Sequence, residues 1–320
     1  MILVTGASGF VGSALCRHLS QQKRPYHGLS RTRPLWAQGE NAALFSSLDL
    51  CSASCATLKA LCPAGGTIVH CAGRAHIMQE TESDPESAFH ALNVEATQKL
   101  LEAAEAKGVQ RFIFVSSIKV NGERASQEIP FHEEALLHPE DAYARSKAQA
   151  EQIVKNYTSR LETVILRPPL MYGPRAQGNF ALLARAVRGR WPLPLASIKN
   201  KRSFLFLENM VSALVACLDA PQAAGETFLV SDTEALSTPE LIRGLAQGVG
   251  HSATLFPCPP KLLHHLGTLL HKQDHIRRLT DSLVIDTRKI RNLLHWTPPY
   301  TAWEGLKKTG KSYDPEQAAL

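Results

Sequence analysis

Several features that define large classes of proteins are missing from this sequence. No uncharged apolar run reaches the roughly 18 residues that a membrane-spanning helix requires, so we predict no integral membrane segment. The seven cysteines are odd in number and dispersed, without CxxC or zinc-site spacing. No charged and apolar leader precedes the first predicted strand. We therefore expect reduced thiols, a cytoplasmic location and no bound metal.

Concentrated positive charge is also missing. The net charge is +6 over 320 residues, and the basic residues are scattered apart from two short groups at 24–33 and 198–202. A nucleic-acid-binding surface needs a denser basic stripe, so the sequence predicts no nucleic-acid partner. Small anionic ligands fit this distribution better.

The first half of the chain alternates apolar, β-branched runs with helical segments. The predicted strands are 2–6, 26–30, 44–50, 67–72, 111–117 and 163–168, and the predicted helices are 10–22, 52–62, 86–107 and 141–157. Strands that are apolar throughout are buried on both faces. The pattern therefore predicts an α/β fold with a doubly wound parallel sheet, the Rossmann arrangement, over residues 1–168.

The pattern changes after the "RPP" at 167–169, where proline becomes frequent and helices are interrupted. The predicted helices here are 179–189, 208–219, 238–248, 260–271, 286–295 and 302–310, with a strand at 226–232. We predict a smaller mixed α/β substrate domain over residues 169–320, with a segment near 203–232 that packs back on the first domain.

A glycine-rich turn, "TGASGFVG" at 5–12, lies between the first predicted strand and the first predicted helix. Glycines at this place allow a tight turn and bring backbone N–H groups close to a pyrophosphate, which the helix N-terminus also attracts. The position makes a glycine turn without a ligand a poor alternative. The predicted contacts in this turn are Gly6, Ser8, Gly9, Phe10, Val11 and Gly12.

The end of the second strand distinguishes the two nicotinamide cofactors. An acidic residue there would bind the ribose hydroxyls of NAD, but this chain has Ser30, Arg31 and Arg33, which suit a 2′-phosphate. We predict that NADP(H) is preferred and that NAD(H) remains possible. The alternative is a pair of exposed arginines in a surface loop. Asp49 and Leu50 end the third strand and are predicted to lie against the adenine, although a polar strand end is common.

Tyr143 and Lys147 in "DAYARSK" are four residues apart, so on a helix they share one face. A tyrosine has a pKa near 10, but a lysine ammonium and an oxidised nicotinamide nearby would favour the phenolate. Ser117 supplies a third polar group at the end of the preceding strand, where ligands collect in open α/β sheets. We predict that Ser117, Tyr143 and Lys147 are catalytic.

Together these motifs resemble the extended short-chain dehydrogenase/reductase family, in its nucleotide-sugar epimerase and reductase branch that includes UDP-glucose 4-epimerase-like enzymes. The stretches that carry the resemblance are "TGASGFVGSALCRHL", "VHCAG", "NVEAT", "RFIFVSSIKVNG", "YARSK" and "LRPPLMYGP". The resemblance implies that Ala72 and Gly73 lie along the cofactor and that Asn93 supports the site. It also implies that Lys147 binds the nicotinamide ribose, that Pro168 approaches the nicotinamide, and that helices 86–107 and 141–157 form a homodimer.

The resemblance also implies a UDP-sugar substrate and residues that contact it. Asn179 and Arg202 match positions near the nucleotide diphosphate, and an arginine is well suited to that group. Arg277 or Arg278 would act similarly, with Arg277 favoured, and Lys119 is a further predicted substrate contact. Ser116 is either structural or bonded near the cofactor amide.

The residues after Ser117 bear on the reaction. Sugar 4,6-dehydratases carry an Asp-Glu pair there, whereas this chain has Ile118 and Lys119, so dehydration lacks its catalysts. The resemblance favours an NADP(H)-dependent 4-ketoreductase of a UDP-2-acetamido-2,6-dideoxy-4-hexulose in surface-polysaccharide synthesis. The alternative is a UDP-glucose or UDP-GlcNAc 4-epimerase with retained NAD. A non-catalytic NAD(P)-binding sensor is a remote third hypothesis.

Overall fold

The computed structural model describes residues 1–34, 37, 44–75, 84–176, 178–270 and 272–313, and the elements named below belong to these residues. The strands are β1 (Ile2–Thr5), β2 (Tyr26–Ser30), β3 (Phe45–Ser47), β4 (Thr67–His70), β5 (Arg111–Val115), β6 (Glu162–Arg167), β7 (Leu170–Tyr172), β8 (Phe204–Phe206) and β9 (Thr227–Leu229). The helices are α1 (Phe10–Gln21), α2 (Cys55–Leu61), α3 (Pro85–His90), α4 (Ala96–Lys107), α5 (Ala142–Asn156), α6 (Gly178–Arg188), α7 (Leu207–Asp219), α8 (Thr238–Val249), α9 (Pro260–Leu269), α10 (Gln273–Thr280), α11 (Arg288–Leu294) and α12 (Ala302–Lys311). Within these ranges, no helix has both the length and the apolar character that crossing a membrane requires.

Seven of the described strands form one parallel sheet in the order β3-β2-β1-β4-β5-β6-β9. The strand order reverses between β1 and β4, and ligands of such sheets bind at the carboxyl ends of the strands beside that reversal. The predicted doubly wound parallel sheet is therefore confirmed. It places the ends of β1, β4, β5 and β6, where the predicted site residues lie, along one edge.

The two faces of the sheet are covered by separate hydrophobic clusters, because successive side chains of a strand point to opposite faces. On one face, Val4 packs with Leu15 of α1 and with residues of α7. On the other face, Leu3 packs with Leu100 of α4 and Val154 of α5. All five of these side chains are completely buried. Helices therefore fix both sides of the strand ends that carry the site.

The second half of the chain has its own hydrophobic cluster but also contributes to the sheet. Helix α12 packs on α8, where Gly248 and Gly310 allow close backbone approach. Tyr172 at the end of β7 donates its hydroxyl to Asp232, 2.6 Å away. Strand β9 pairs with β6, and α7 packs against the same sheet face as α1. A division of the chain between residues 168 and 169 stays a prediction.

Helix 86–107 was expected to be continuous, and the structure interrupts it. Helix α3 ends at His90, a single π-helical turn covers Ala91–Glu95, and α4 continues to Lys107. A π-turn inserts an extra residue into the helix and is frequent at functional sites. Here it carries Asn93, whose side chain is buried. Three further elements, β7, β8 and α10, were not predicted.

Candidate active site

The glycine turn after β1 is packed too closely for any other residue at two positions. Gly6 has φ +66°, and a side chain there would meet the backbone of Ala72. A side chain at Gly12 would overlap the carbonyl oxygen of Gly6. Helix α1 begins at Phe10 with Gly9 as its N-cap and no side-chain capping bond. Backbone N–H groups at this helix end are therefore the donors that an anion would meet, and the predicted pyrophosphate contacts of the turn stay a prediction.

Asn93 joins the segment after β4 to the helix that carries Tyr143. Its Oδ1 accepts a hydrogen bond from Arg74 N at 2.8 Å, and its Nδ2 donates to Ser146 Oγ at 2.9 Å. A Cβ on Gly73 would come 3.2 Å from Asn93 Oδ1 and 3.9 Å from Lys147 Nζ. The backbone of Gly73 thus runs between two predicted site residues, and Asn93 bonds to both the segment after β4 and the helix of Tyr143.

The structure brings Ser117 and Tyr143 together. Ser117 starts a short 3-10 turn, and its Oγ accepts a hydrogen bond from Lys119 N at 3.3 Å. Its hydroxyl proton remains available to Tyr143, with which the Ser117 side chain interacts. Burial raises the pKa of Tyr143 to about 12, Ser117 acts to lower it, and the Asp141 carboxylate acts to raise it. The protein alone therefore does not produce the lowered tyrosine pKa expected from the sequence.

Lys147 is buried one helical turn beyond Tyr143, at 4% exposure. Its Nζ lies 4.0 Å from the centroid of the Phe114 ring, which offers a cation–π contact. Burial lowers the pKa of Lys147 to about 8, although Glu151 and Cys71 act to raise it. The lysine is therefore poised between its charged and neutral forms near physiological pH.

The predicted adenosine end of the site is open. Arg31 and Arg33 are exposed after β2, and Ser30 Oγ donates to Thr32 O at 2.8 Å, which fixes the start of this turn. Asp49 Oδ1 accepts a hydrogen bond from Cys51 N at 3.0 Å, and Leu50 is buried. The hydroxyl of Ser30 and the carboxylate of Asp49 are thus engaged within the protein, whereas the two arginines face solvent.

Two of the residues predicted to bind the diphosphate, Arg202 and Arg277, have partners within the protein. Arg202 is half-buried and its Nη1 donates to Asp281 O at 2.9 Å. Arg277 pairs with Asp274 on the exposed side of α10, at 3.9 Å. Arg278, which the sequence ranked below Arg277, is the arginine of α10 whose charge acts on both Arg202 and Asp141. A diphosphate contact by Arg277 or Arg278 stays a prediction.

Two further residues were predicted to contact the substrate or the cofactor, Asn179 and Pro168. The side chain of Asn179, in the first turn of α6, is outside the described part of the structure. Pro168 is buried, and its carbonyl oxygen accepts a hydrogen bond from Ile118 N at 2.9 Å. That bond ties the end of β6 to the turn that follows Ser117.

Lys119, predicted as a substrate contact, is engaged by two carboxylates. Its Nζ lies 2.5 Å from Asp141 Oδ2 and 2.6 Å from Glu123 Oε1. Asp141 is the N-cap of α5, where its Oδ1 accepts from Ala144 N at 2.7 Å. Burial acts to raise the pKa of Asp141, but the Lys119 hydrogen bond and charge hold it below its ordinary value. A substrate contact by Lys119 stays a prediction.

Comparison with known proteins decides the family. A model of the NAD dependent epimerase/dehydratase family matches residues 2–231. The chain is also 38% identical, over 317 residues, to a UDP-glucose 4-epimerase of Vibrio cholerae, with 98% of this chain and 95% of that protein covered. This chain belongs to the NAD dependent epimerase/dehydratase family.

Solved structures show the same fold. A UDP-glucose 4-epimerase of Thermotoga maritima, solved with UDP-glucose, is similar with a TM-score of 0.78 and 19% identity, over 100% of this chain and 99% of that one. RMD of Pseudomonas aeruginosa, solved with NADPH, is similar with a TM-score of 0.72 and 24% identity, over 97% of each chain. The epimerase/dehydratase fold thus extends over the whole length of this chain.

The residues of this epimerase/dehydratase family member fit a nicotinamide dinucleotide. Gly6 and Gly12 leave a cradle that side chains would fill, beside the uncapped start of α1. Gly73 leaves the space between Asn93 and Lys147 open. When bound there, such a cofactor supplies hydride transfer. The residues around this space would contribute its orientation.

A buried polar cluster beneath the site was missed by the sequence analysis. Ser116 Oγ donates to Glu151 Oε1 at 2.5 Å, and Arg167 pairs with Glu151 Oε2 at 2.6 Å. Arg167 Nη1 also donates to Asn121 Oδ1 at 3.1 Å. Ser116 therefore has the structural hydrogen bond that was one of its two predicted roles, and a contact with the cofactor stays a prediction. Glu151 lies four residues after Lys147, and this helical spacing was the signal that could have located it.

A second missed group is a chain of hydrogen bonds through His70. His70 Nδ1 lies 2.7 Å from Thr5 Oγ1, and its Nε2 lies 3.0 Å from Thr97 Oγ1, which donates to Asn93 O at 2.7 Å. Burial lowers the pKa of His70 to about 3, and the Lys147 charge adds to this effect. The imidazole is therefore neutral, and it links β1 and β4 to the π-turn that positions Asn93.

Proposed function

We propose that this protein is an NADP(H)-dependent oxidoreductase that acts at C4 of a UDP-linked sugar. Within this class we propose reduction of the 4-keto group of a UDP-2-acetamido-2,6-dideoxy-4-hexulose. The observation that carries the proposal is the meeting of Ser117 and Tyr143 at the carboxyl edge of the sheet, with Lys147 one helical turn later beside Gly73. Three polar groups of these types at a cofactor cradle suit hydride transfer coupled to proton transfer.

Each of the three residues has a distinct task in this proposal. The Ser117 hydroxyl would donate to the sugar oxygen and hold it in line. Tyr143 would give its proton to that oxygen during reduction, and its high pKa in the free protein keeps the phenol protonated for this step. Lys147 would bind the ribose of the cofactor, and when protonated would stabilise the phenolate that remains.

Dehydration is not supported by the surroundings of Ser117. Ile118 is 3% exposed and carries no ionisable group. The ammonium of Lys119 is paired with Asp141 and Glu123. Elimination of water from a sugar needs an acid and a base at the substrate, and these two positions supply neither. We therefore retain only reactions that transfer a hydride at C4 without eliminating water, which are reduction and epimerisation.

The choice between a reductase and an epimerase depends on the cofactor. Arg31 and Arg33 are exposed at the end of β2 and support binding of a 2′-phosphate, which marks the exchangeable cofactor of a reductase. The second candidate is a UDP-glucose or UDP-GlcNAc 4-epimerase with retained NAD. It is favoured by the 38% identical relative of Vibrio cholerae, which is named a UDP-glucose 4-epimerase.

The experiment that separates these candidates follows the reduced cofactor. The pure protein is mixed with NADPH or NADH and a UDP-4-keto-6-deoxy-N-acetylhexosamine, with UDP-GlcNAc and UDP-glucose in parallel. Loss of NADPH in equal amount to the product formed supports the reductase. Interconversion of UDP-GlcNAc or UDP-glucose with its C4 epimer, without net change in cofactor, would show an epimerase and overturn the reductase.

The cofactor-sensor alternative, the cellular location and the oligomeric state are each considered separately. Tight NADPH binding without turnover of any UDP-sugar would favour the cofactor sensor, which the presence of all three catalytic residues argues against. All seven cysteines lie in described residues and are free thiols, which suits the proposed cytoplasmic location. Homodimer formation through α4 and α5 is proposed from the family resemblance and is testable by light scattering.

A further inference from the structure

Lys119 and Asp141 connect two segments that carry different catalytic residues. Lys119 lies in the 3-10 turn that Ser117 begins, and Asp141 is the residue before the helix that presents Tyr143. Their side chains form an ion pair with Nζ 2.5 Å from Oδ2, and the lysine is 27% exposed. The pair therefore links the turn after Ser117 to the start of the Tyr143 helix.

Asp141 serves two purposes with its two carboxylate oxygens. Oδ1 accepts the hydrogen bond from Ala144 N that starts the helix, at 2.7 Å, and Oδ2 accepts from Lys119. The capping bond fixes the first turn of α5, in which Tyr143 is the second residue. A carboxylate two residues from a phenol also disfavours the phenolate, because like charges repel. Lys119 neutralises that carboxylate.

Four elements lie around the pair and Tyr143, and three of them carry charged groups. The turn after β5 provides Ser117 to Tyr143, and Lys119 and Glu123 to the cluster. Helix α10 adds the charge of Arg278 near Asp141. Helix α3 presents Phe89, whose ring centroid lies 6.0 Å from that of Tyr143 and carries no charge. On α5 itself the cation of Lys147 follows one turn later.

We propose that Lys119 is a positioning residue that acts on Tyr143 through Asp141, by neutralising the carboxylate that caps the catalytic helix. This inference rests on the proposed function in assigning proton transfer to Tyr143. It gives the lysine a purpose that does not require contact with the sugar. It also explains how a lysine can occupy the position after Ile118 without supplying a catalytic acid.

The test compares single and double variants that separate charge from capping. Lys119→Met removes the cation but retains much of the side-chain length. Asp141→Asn removes the anion and keeps an oxygen for the capping bond, since asparagine is as good an N-cap as aspartate. The double variant removes both charges. Lys308→Met removes a lysine from a distant ion pair with Glu208, at 2.8 Å, and is the matched control.

The readout is the ionisation of Tyr143 in the complex with the oxidised cofactor. It is measured as the difference in tyrosinate absorbance between each protein and the same protein with Tyr143→Phe, as pH is raised. We expect Lys119→Met to raise the apparent pKa by about 0.5–1 unit, and Asp141→Asn to lower it by a similar amount. Adding Lys119→Met to Asp141→Asn should then change it little. Lys308→Met should leave it unchanged.

Two outcomes would overturn the inference. One is an unchanged Tyr143 titration in folded Lys119→Met, as shown by circular dichroism and cofactor affinity. The other is a shift by Lys119→Met that is the same size with and without Asp141, because Lys119 would then act without the carboxylate. The titration needs no turnover, so an absence of reaction with every UDP-sugar would contradict the proposed function and leave this result intact. Where turnover exists, an effect of Lys119→Met on KM alone would indicate a substrate contact instead.

Discussion

Glu151 and Arg167 form an ion pair in the interior, with Nη2 2.6 Å from Oε2 and each side chain 1% exposed. The carboxylate also accepts from Ser116, and the guanidinium also donates to Asn121. Glu151 belongs to α5, Arg167 ends β6, and Ser116 follows β5. One buried charge pair therefore joins the three elements that present Ser117, Lys147 and Pro168.

Breaking this pair from one side should destabilise the protein strongly. We expect Glu151→Ala to lower the free energy of unfolding by about 3–5 kcal/mol, because the Arg167 cation would remain buried without its partner. Glu151→Met with Arg167→Met should lower it by less than the sum of the two single changes. Urea denaturation measures both free energies.

As a control, Arg24→Ala, which breaks an exposed pair with Asp219, should lower the free energy of unfolding by about 1 kcal/mol or less. Equal losses for Glu151→Ala and Arg24→Ala would contradict the prediction.

The glycine turn gives a prediction that separates cofactor binding from stability. Gly12→Ala places a methyl group against the Gly6 carbonyl oxygen, so α1 must move and its N–H groups lose their alignment. We expect a loss of about 1–3 kcal/mol in stability together with weaker NADPH binding, measured by calorimetry. Gly65→Ala is the control, since its φ of +61° is strained but no atom lies within 4 Å of the new methyl group. It should lose stability and keep its cofactor affinity; the same affinity loss in both would contradict the explanation.

The parallel sheet was predictable because short runs rich in apolar and β-branched residues alternate with helical segments. The predicted strand 26–30 coincides with β2, and the predicted strand 163–168 differs from β6 by one residue at each end. The placement of Ser117 was also predictable from its position at the end of a strand, and that of Lys147 on the face of Tyr143 from their four-residue spacing. These signals come from residues close together in sequence, and the rules for strand order and connections then give the three-dimensional arrangement.

Most of the features that the sequence did not predict depend on contacts between residues distant in sequence. The segment 86–107 contains no proline or glycine that would mark the π-turn at 91–95, so the pattern predicts one helix. Strands β7 and β8 are three residues each, too short for an alternating pattern to identify. The pairing of Lys119 with Asp141 spans 22 residues and needs the fold to bring them together. Which of Arg277 and Arg278 lies nearer to Arg202 and Asp141 depends on the rotation of α10 about its axis, which the sequence does not give.

Cofactor preference should depend on the two exposed arginines after β2. We expect the change of both Arg31 and Arg33 to alanine to weaken NADPH binding by about tenfold to a hundredfold, because hydrogen bonds to a charged phosphate are lost. NADH affinity should change little, since NADH lacks the 2′-phosphate. Fluorescence titration of both cofactors measures the ratio. Equal weakening of both cofactors, or none, would show that these arginines do not select NADPH.

The low pKa of Lys147 predicts a rise in stability at alkaline pH. The folded protein releases this proton near pH 8, whereas the unfolded chain holds it up to the ordinary lysine value of 10.5. Between these values the unfolded state binds more protons, so the free energy of unfolding rises with pH. We expect wild type to gain about 2 kcal/mol relative to Lys147→Met between pH 8 and about pH 9.5.

The pH range of this comparison ends below pH 10, because ionisation of Tyr143 lowers the free energy of unfolding of both proteins above that pH. Its folded pKa is raised above the ordinary value of 10, so its contribution is fully present below pH 10 and is lost as pH rises toward about 12. Urea denaturation of both proteins at a series of pH values gives the difference directly. Parallel curves for wild type and Lys147→Met would show that Lys147 keeps an ordinary pKa in the folded protein.

Ser117 and Tyr143 should be separable by the kind of catalytic defect each variant produces. Tyr143→Phe keeps the ring that contacts Phe89 but removes the proton donor, so we expect kcat to fall by about 10²–10⁴ with cofactor affinity retained. Ser117→Ala removes the hydroxyl that favours ionisation of Tyr143, and the surviving activity in the direction of alcohol oxidation should need a higher pH. Stopped-flow measurement of hydride transfer over a range of pH values tests both. A Ser117→Ala profile that falls in rate without moving along the pH axis would limit Ser117 to holding the sugar oxygen.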